Sequence, residues 1–287
     1  MSLNITGHTQ LACLLGRPVG HSISPAMHNA AFDKLGIDCA YLAFDVKPED
    51  LSQVAQALKT MNVLGFNLTM PLKNTILPLC DEISDAARIS GSVNTVVNDH
   101  GHFVGHTTDG IGFMLACKEA GFDPMSGKMV LLGAGGAAAS ILVQAALDGV
   151  PAITVFNRPG RSYDSISSII DILNKESNCH IKLLDYSDMT VFKRELQEAS
   201  LLVNASSVGM APDIDSSLIP DPSYLHPELN VYDIIYNPFE TKLMKQAKEA
   251  GCKTDNGRFM LLYQGAAAFK KWTGTEMPVP YIKDLLF

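Results

Sequence analysis

Apolar residues in the first hundred positions fall into short runs separated by amphipathic stretches. Leu11 to Leu15, Ala40 to Val46 and Val63 to Leu68 read as strands, while Pro25 to Leu35 and Pro48 to Met61 repeat their apolar positions at helical spacing. Such a βαβαβ rhythm predicts parallel strands joined by crossover helices. A helix is predicted over Ile111 to Ala120, and the polar connection Gly121 to Lys128 leads into the apolar run Met129 to Leu132. A second alternating series follows through Ile153 to Phe156, Ile181 to Leu184, Leu201 to Asn204 and Val231 to Ile235. Its rhythm is that of a doubly wound sheet. The last long segment, Arg258 to Trp272, is apolar at helical spacing and is expected to pack back on the first domain.

Composition narrows the function classes. A chain of 287 residues with 47% apolar and 18% charged side chains has ample material for packed cores. Thirty acidic residues against 22 basic give a net charge of −8, with no lysine- or arginine-rich run, so nucleic acid is not an expected partner. The segment Met1 to Gln10 is polar and lacks the basic start and apolar centre of a signal peptide, so a cytoplasmic protein is expected. The nearest approach to a membrane span, Met129 to Leu147, is broken by Gly-Ala-Gly-Gly, so no membrane partner is expected. Cys13, Cys39, Cys80, Cys117, Cys179 and Cys252 are scattered singly, without a Cys-x-x-Cys pair or a histidine at metal spacing. They read as reduced thiols, and no metal site is predicted.

The interruption at 133 has a mechanism of its own. A strand opens into Gly133-Ala134-Gly135-Gly136-Ala137-Ala138 and then into an alanine-rich helix ending near Gly149, which fits G-x-G-x-x-A. In that context Gly133 allows the tight turn, Gly135 lets a pyrophosphate approach, and Ala138 permits close helix packing. The helix N-terminus then faces the phosphates. At the end of the next strand stand Asn157-Arg158-Pro159-Gly160-Arg161 rather than the carboxylate usual for NAD. Arg158 and Arg161 suit a 2′-phosphate through guanidinium hydrogen bonds, which favours NADP; the nearby Asp164 leaves NAD open. The predicted fold class is α/β with two domains. Residues 1–110, joined by C-terminal helices in 258–287, form an N-terminal α/β substrate domain with a mostly parallel sheet. Residues 111–257 form a Rossmann-type, doubly wound nucleotide-binding domain.

Several polar clusters sit where strands end. His21-Ser22-Ile23-Ser24-Pro25 lies between a strand and a helix, with Ser24 the expected N-cap; the serines either bend and cap the chain or offer two hydroxyls to a small carboxylate. Asn67-Leu68-Thr69-Met70-Pro71-Leu72-Lys73 follows a buried strand, in the place where sites collect, although a lysine there also suits a solvated surface. Gly91-Ser92-Val93-Asn94-Thr95 and Gly105-His106-Thr107-Thr108-Asp109-Gly110 are turn-like when taken singly.

Taken in order, these clusters resemble the shikimate dehydrogenase family, including its quinate/shikimate branch, over essentially the full length. The series continues with Asn204-Ala205-Ser206-Ser207-Val208-Gly209-Met210, Tyr236-Asn237-Pro238 and Met260-Leu261-Leu262-Tyr263-Gln264-Gly265-Ala266. The resemblance implies reversible NAD(P)-dependent hydride transfer between 3-dehydroshikimate and shikimate, within aromatic amino-acid biosynthesis. It implies that Ser22 and Ser24 hold the substrate carboxylate, that Asn67, Thr69, Asn94, Asp109 and Gln264 bind ring hydroxyls, and that Tyr236 lines the pocket. Val208, Met210 and Gly257 would seat the nicotinamide end, with Lys73 as base and Asp109 as its partner. A lysine desolvated beside substrate and cofactor can titrate near neutrality, and a carboxylate beside it stabilises the charged form.

Three departures mark this chain. Thr107 stands where relatives often carry Asn, Ser206 replaces a usual Thr, and Pro159 replaces the Thr of the NADP-specific Asn-Arg-Thr. Quinate is the rival substrate, and reduction of an amino-sugar-like or aromatic precursor analogue is a third possibility. A nucleotide-binding regulator without turnover is the rival of another class, against which the presence of both Lys73 and Asp109 argues. A homodimer is compatible with the sequence.

Overall fold

The structure, a computed structural model, describes residues 5–287. Residues 1–4 of the polar N-terminal segment lie outside the described residues. The chain divides into two units: Met1–Thr108 with Leu262–Phe287, and Asp109–Leu261.

The first unit is organised by β1 (Gln10–Gly16), whose apolar run is buried almost throughout. β2 (Cys39–Asp45) and β3 (Gly65–Leu68) flank it, both parallel to it, and α1 (Ser24–Leu35) and α2 (Leu51–Thr60) make the crossovers. The sheet continues through β4 (Glu82–Ile83), β5 (Thr95–Asp99) and β6 (His102–His106) in the order β2-β1-β3-β5-β6-β4. β5 alone runs against the rest, because it forms a tight hairpin with β6. α3 (Asp85–Ser90) connects β4 to β5. Alternation along the strands sorts the faces. Cys13, Leu15, Phe66 and Leu68 pack with Leu51, Ala55 and Leu58 of α2, whereas Ala12, Tyr41 and Asn67 belong to the opposite face. There Phe32 of α1, Tyr41, and Phe269 and Trp272 of α9 (Arg258–Thr273) enclose the ring of His28. The Trp272 indole donates to the Val96 carbonyl at 2.9 Å, and α10 (Val279–Leu286) completes the layer against α1.

The second unit is all parallel. It runs α4 (Asp109–Glu119), β7 (Lys128–Leu132), α5 (Gly136–Asp148), β8 (Ala152–Asn157), α6 (Arg161–Glu176), β9 (His180–Asp185), α7 (Met189–Gln197) and β10 (Leu201–Asn204). β11 (Asn230–Asp233), α8 (Lys242–Glu249) and β12 (Lys253–Asn256) follow. The strand order β12-β11-β10-β7-β8-β9 reverses between β7 and β10, the switch point of a Rossmann fold. Val130, Leu132, Phe156, Leu202 and Val231 face Phe192 and Leu196 of α7 and Leu243 and Ala247 of α8.

The expected α/β architecture with a mostly parallel and a doubly wound sheet is what the chain adopts. Two strands escape periodicity. β12 reads Lys-Thr-Asp-Asn and β4 is a two-residue edge, so neither offers an apolar alternation to detect. β11 ends at Asp233, two residues before the apolar run does, and the segment from Pro48 opens as a 3₁₀ turn before α2 begins.

Candidate active site

In the first unit, β1 and β3 end side by side, and the polar clusters follow those ends. After β1 the chain folds back through Ser22, whose amide donates to the Val19 carbonyl at 3.0 Å. Ser24 is not the N-cap. Ile23 occupies that position with helical dihedrals and makes no side-chain cap bond, so Ser24 is already the first helical residue. Its amide donates instead to the Ser22 hydroxyl at 3.2 Å, which supplies the acceptor from one residue further out. Ser24 itself is buried.

After β3, the Thr69 amide donates to Leu15 O and the Val93 amide to Lys73 O, both at 2.9 Å, while Leu72 anchors the turn in the core. The Lys73 backbone is thereby fixed next to Asn94. Lys73 is partly exposed.

Asn67 and Asn94 are joined below this turn. The Asn67 amide nitrogen donates to Asn94 O and to Thr95 Oγ1, each at 3.0 Å, and its Oδ1 accepts from the Tyr41 hydroxyl at 2.7 Å. Both amide hydrogens are spent inside the protein. Asn94 Oδ1 accepts from the Thr108 amide at 2.8 Å and from the Thr95 hydroxyl at 3.1 Å. Asn94 Nδ2 donates to Thr108 Oγ1 at 3.0 Å and to Gln264 Oε1 at 3.3 Å. Gln264, 170 residues from Asn94, is thus brought into the same cluster. Tyr41, Thr95 and Thr108 join this cluster although the sequence does not single them out: Thr95 and Thr108 lie inside polar motifs, whereas Tyr41 carries no local signal.

In the second unit, Asp109 opens α4 and is buried at 7% exposure, a carboxylate placed where the helix dipole favours negative charge. The turn after β7 divides its labour as the motif implies. Gly133 takes φ 109°, and a Cβ there would meet Ala205 O at 2.9 Å. No atom lies within 4 Å of where a Cβ on Gly135 would stand, and Ala138 is fully buried beneath the turn. An open approach past Ala134 and Gly135 to the amide end of α5, begun by Gly136 and Ala137, fits a dinucleotide pyrophosphate.

At the end of β8, Asn157 Nδ2 donates to Arg158 O at 3.0 Å. Arg158 and Arg161 are both exposed, and Arg161 starts α6. Burial raises the Tyr186 phenol, and the Arg158 charge opposes that shift.

The loop after β10 is held from below by a buried network. Asp233 Oδ1 accepts from Asn204 Nδ2 at 3.0 Å and Oδ2 from Thr241 at 2.7 Å; burial nevertheless raises its pKa. Asn204 Oδ1 accepts from the Ser206 hydroxyl at 2.7 Å, which in turn accepts from the Val208 amide at 3.2 Å. A threonine hydroxyl would make the same two bonds, so Ser206 keeps the function of the residue it replaces. Met210 and Tyr236 are exposed at 42% and 44%. A Cβ on Gly257 would fall 1.9 Å from Ile234 O, so close backbone approach alone requires glycine there. Among the described residues no group of three His, Cys, Asp or Glu is gathered to hold a metal, and no helix is long and apolar enough to cross a membrane.

Known proteins resemble the chain along its whole length. The profile described as shikimate dehydrogenase substrate binding domain matches residues 14–96, and that described as shikimate 5'-dehydrogenase C-terminal domain matches residues 260–287. A curated relative from Listeria innocua, shikimate dehydrogenase (NADP(+)), is 48% identical over 99% of this chain and 97% of its own. The crystal structure of shikimate 5-dehydrogenase from Listeria monocytogenes in complex with shikimate and NAD superposes with a TM-score of 0.96. It is 47% identical, covering 100% of this chain and 99% of that one. The Thermus thermophilus shikimate 5-dehydrogenase in complex with NADP(H) and shikimate gives 0.83 at 32% identity, over 96% and 97%. With likeness at this level running from end to end through both units, the chain belongs to the shikimate dehydrogenase family.

Proposed function

We propose that the chain interconverts shikimate and 3-dehydroshikimate by hydride transfer, as a cytoplasmic biosynthetic enzyme using NADP, with NAD as a second acceptor. The observation that carries this reading is the full-length likeness to a structure holding shikimate and NAD. Bound NADP supplies the hydride acceptor. The turn Gly133–Ala137 would hold its pyrophosphate, Asn157, Arg158 and Arg161 its adenosine ribose and 2′-phosphate, and Val208, Met210 and Gly257 its nicotinamide end. Two exposed guanidinium groups and the absence of a carboxylate among residues 157–161 support the phosphate assignment.

Ser22 and Ser24 bind the substrate carboxylate; Asn94, Gln264 and Thr69 bind ring hydroxyls, and Tyr236 lines the pocket. Asn67 acts chiefly through Asn94 and Thr95, since its own donors are committed to them. Lys73 takes the hydroxyl proton, and Asp109 orients the reacting hydroxyl.

The test follows reduced nicotinamide by absorbance, offering shikimate and quinate with NADP and NAD in all four combinations. Shikimate with NADP is expected to be fastest, and Lys73→Ala to lower kcat by about 10² to 10⁴ with little change in nucleotide binding. Nucleotide binding without turnover in any combination would replace this reading with that of a regulator.

A further inference from the structure

The first unit contains a buried polar chain that reaches the proposed substrate residues from an unexpected place, the edge strand β2. Tyr41 on β2 pairs with Ala12 on β1, which pairs with Gly65 on β3. Ala12 between them is small, and Gly65 leaves its space to the Trp272 indole; the Tyr41 ring lies across β1 and brings its hydroxyl to Asn67 at 2.7 Å. Tyr41 is fully buried, and Asn67 is 6% exposed.

Two backbone groups set the directions in this chain: the Asn94 carbonyl for the Asn67 amide, and the Thr108 amide, which donates to Asn94 Oδ1 at 2.8 Å, for the Asn94 amide. Asn94 O can only accept, so it fixes the Asn67 amide nitrogen on its side and leaves Oδ1 facing Tyr41, which must donate. The second Asn67 hydrogen goes to Thr95 Oγ1, which donates to Asn94 Oδ1. Asn94 Nδ2 then points at Gln264 Oε1. Turning over either asparagine amide would set two acceptors or two donors face to face in a dry interior, where that is costly.

We infer that Tyr41 is a positioning residue for substrate recognition: by donating to Asn67 it holds the Asn67–Thr95–Asn94 array, and through it the Gln264 amide, in the orientation that reads the ring hydroxyls. The inference rests on the function proposed above. Phenylalanine at 41 keeps the ring's packing but leaves Asn67 Oδ1 buried without its donor. With that end of the amide unheld, its two donor bonds to Asn94 O and Thr95 Oγ1 loosen.

The experiment compares Tyr41→Phe and Thr95→Val with the unmodified enzyme, measuring kcat, KM for shikimate, KM for NADP and the thermal midpoint. Tyr41→Phe is expected to raise the shikimate KM about tenfold, the loss of roughly one net hydrogen bond, while kcat and the NADP KM change by less than about threefold. Thr95→Val breaks the same array one link later and should give the same selective rise. The double variant should be no worse than the more impaired single, because the two changes disable one device. A shikimate KM within twofold of the unmodified enzyme in either variant, whatever the thermal midpoint does, overturns the inference, as do single effects that multiply in the double variant. Should Tyr41→Phe fail to fold, Thr95→Val decides alone. Failure of the unmodified enzyme to turn over shikimate would remove the underlying function, an outcome distinct from turnover that is indifferent to Tyr41.

Discussion

His28 brings a titratable ring into the aromatic layer of the first unit, stacked 4.4 Å from Tyr41, with neither ring nitrogen hydrogen-bonded. Burial lowers its pKa to about 3. The unfolded chain takes up a proton below about pH 6.5 while the folded chain refuses it, so stability falls as pH drops from there toward 3. The slope from this group is about 1.4 kcal/mol per pH unit. His28→Leu is expected to flatten the urea-derived stability profile between pH 6 and 4.5 by about one proton's worth; an unchanged slope would refute the assignment. His106, half-buried and lowered to about 4 by burial and then by the Lys271 charge, pulls in the same direction in both proteins. Gly257 gives a second residue-scale expectation. Ala there meets the Ile234 carbonyl, which is backbone and cannot rotate away, so Gly257→Ala should cost about 3 kcal/mol or more and lower the thermal midpoint even without ligands.

The elements are secured by polar contacts that hydrophobic periodicity does not report. Lys128 at the start of β7 meets Glu195 of α7 at 2.5 Å, and Thr154 of β8 donates to the same carboxylate at 2.9 Å. Burial would raise the Glu195 pKa, but the bonds from Lys128, Thr154 and Arg194 outweigh it and hold the group below the usual carboxylate range. Its contribution is therefore present at neutral pH and lost as pH falls through that depressed value. Glu195→Ala removes the buried acceptor of Thr154 and one of the two carboxylates on Lys128, which keeps Glu198 at 2.9 Å, and should cost about 1 to 3 kcal/mol in urea unfolding. Glu195→Gln, which keeps an acceptor for Thr154, should cost less. Similar reasoning accounts for the cap at α1. A Ser-Pro pair predicts a helix start, yet which serine supplies the acceptor depends on how the chain turns back over Val19, and Ser22 rather than Ser24 does so.

For the whole molecule, the charge of −8 and an isoelectric point near 5.4 set solution behaviour. Repulsion between molecules vanishes near that pH, where His28 has also begun to weaken the fold, so turbidity should peak near pH 5.4 and clear at pH 8. A clear solution at both would mean that neither effect governs association. Alternating apolar runs were enough to predict two α/β sheets, and Gly133-Ala134-Gly135 between strand and helix was enough to place a dinucleotide turn, because each is encoded within a few residues of contiguous chain. Periodicity says which face of a strand is buried but not which strand lies beside it. Reversal of β5, the polar strand β12, the reach of Tyr41 over Ala12 to Asn67 and the pairing of Asn94 with Gln264 were therefore decided only when tertiary packing set strand order and register. Those contacts join residues 26 and 170 positions apart, a separation at which nothing local in the chain could specify them.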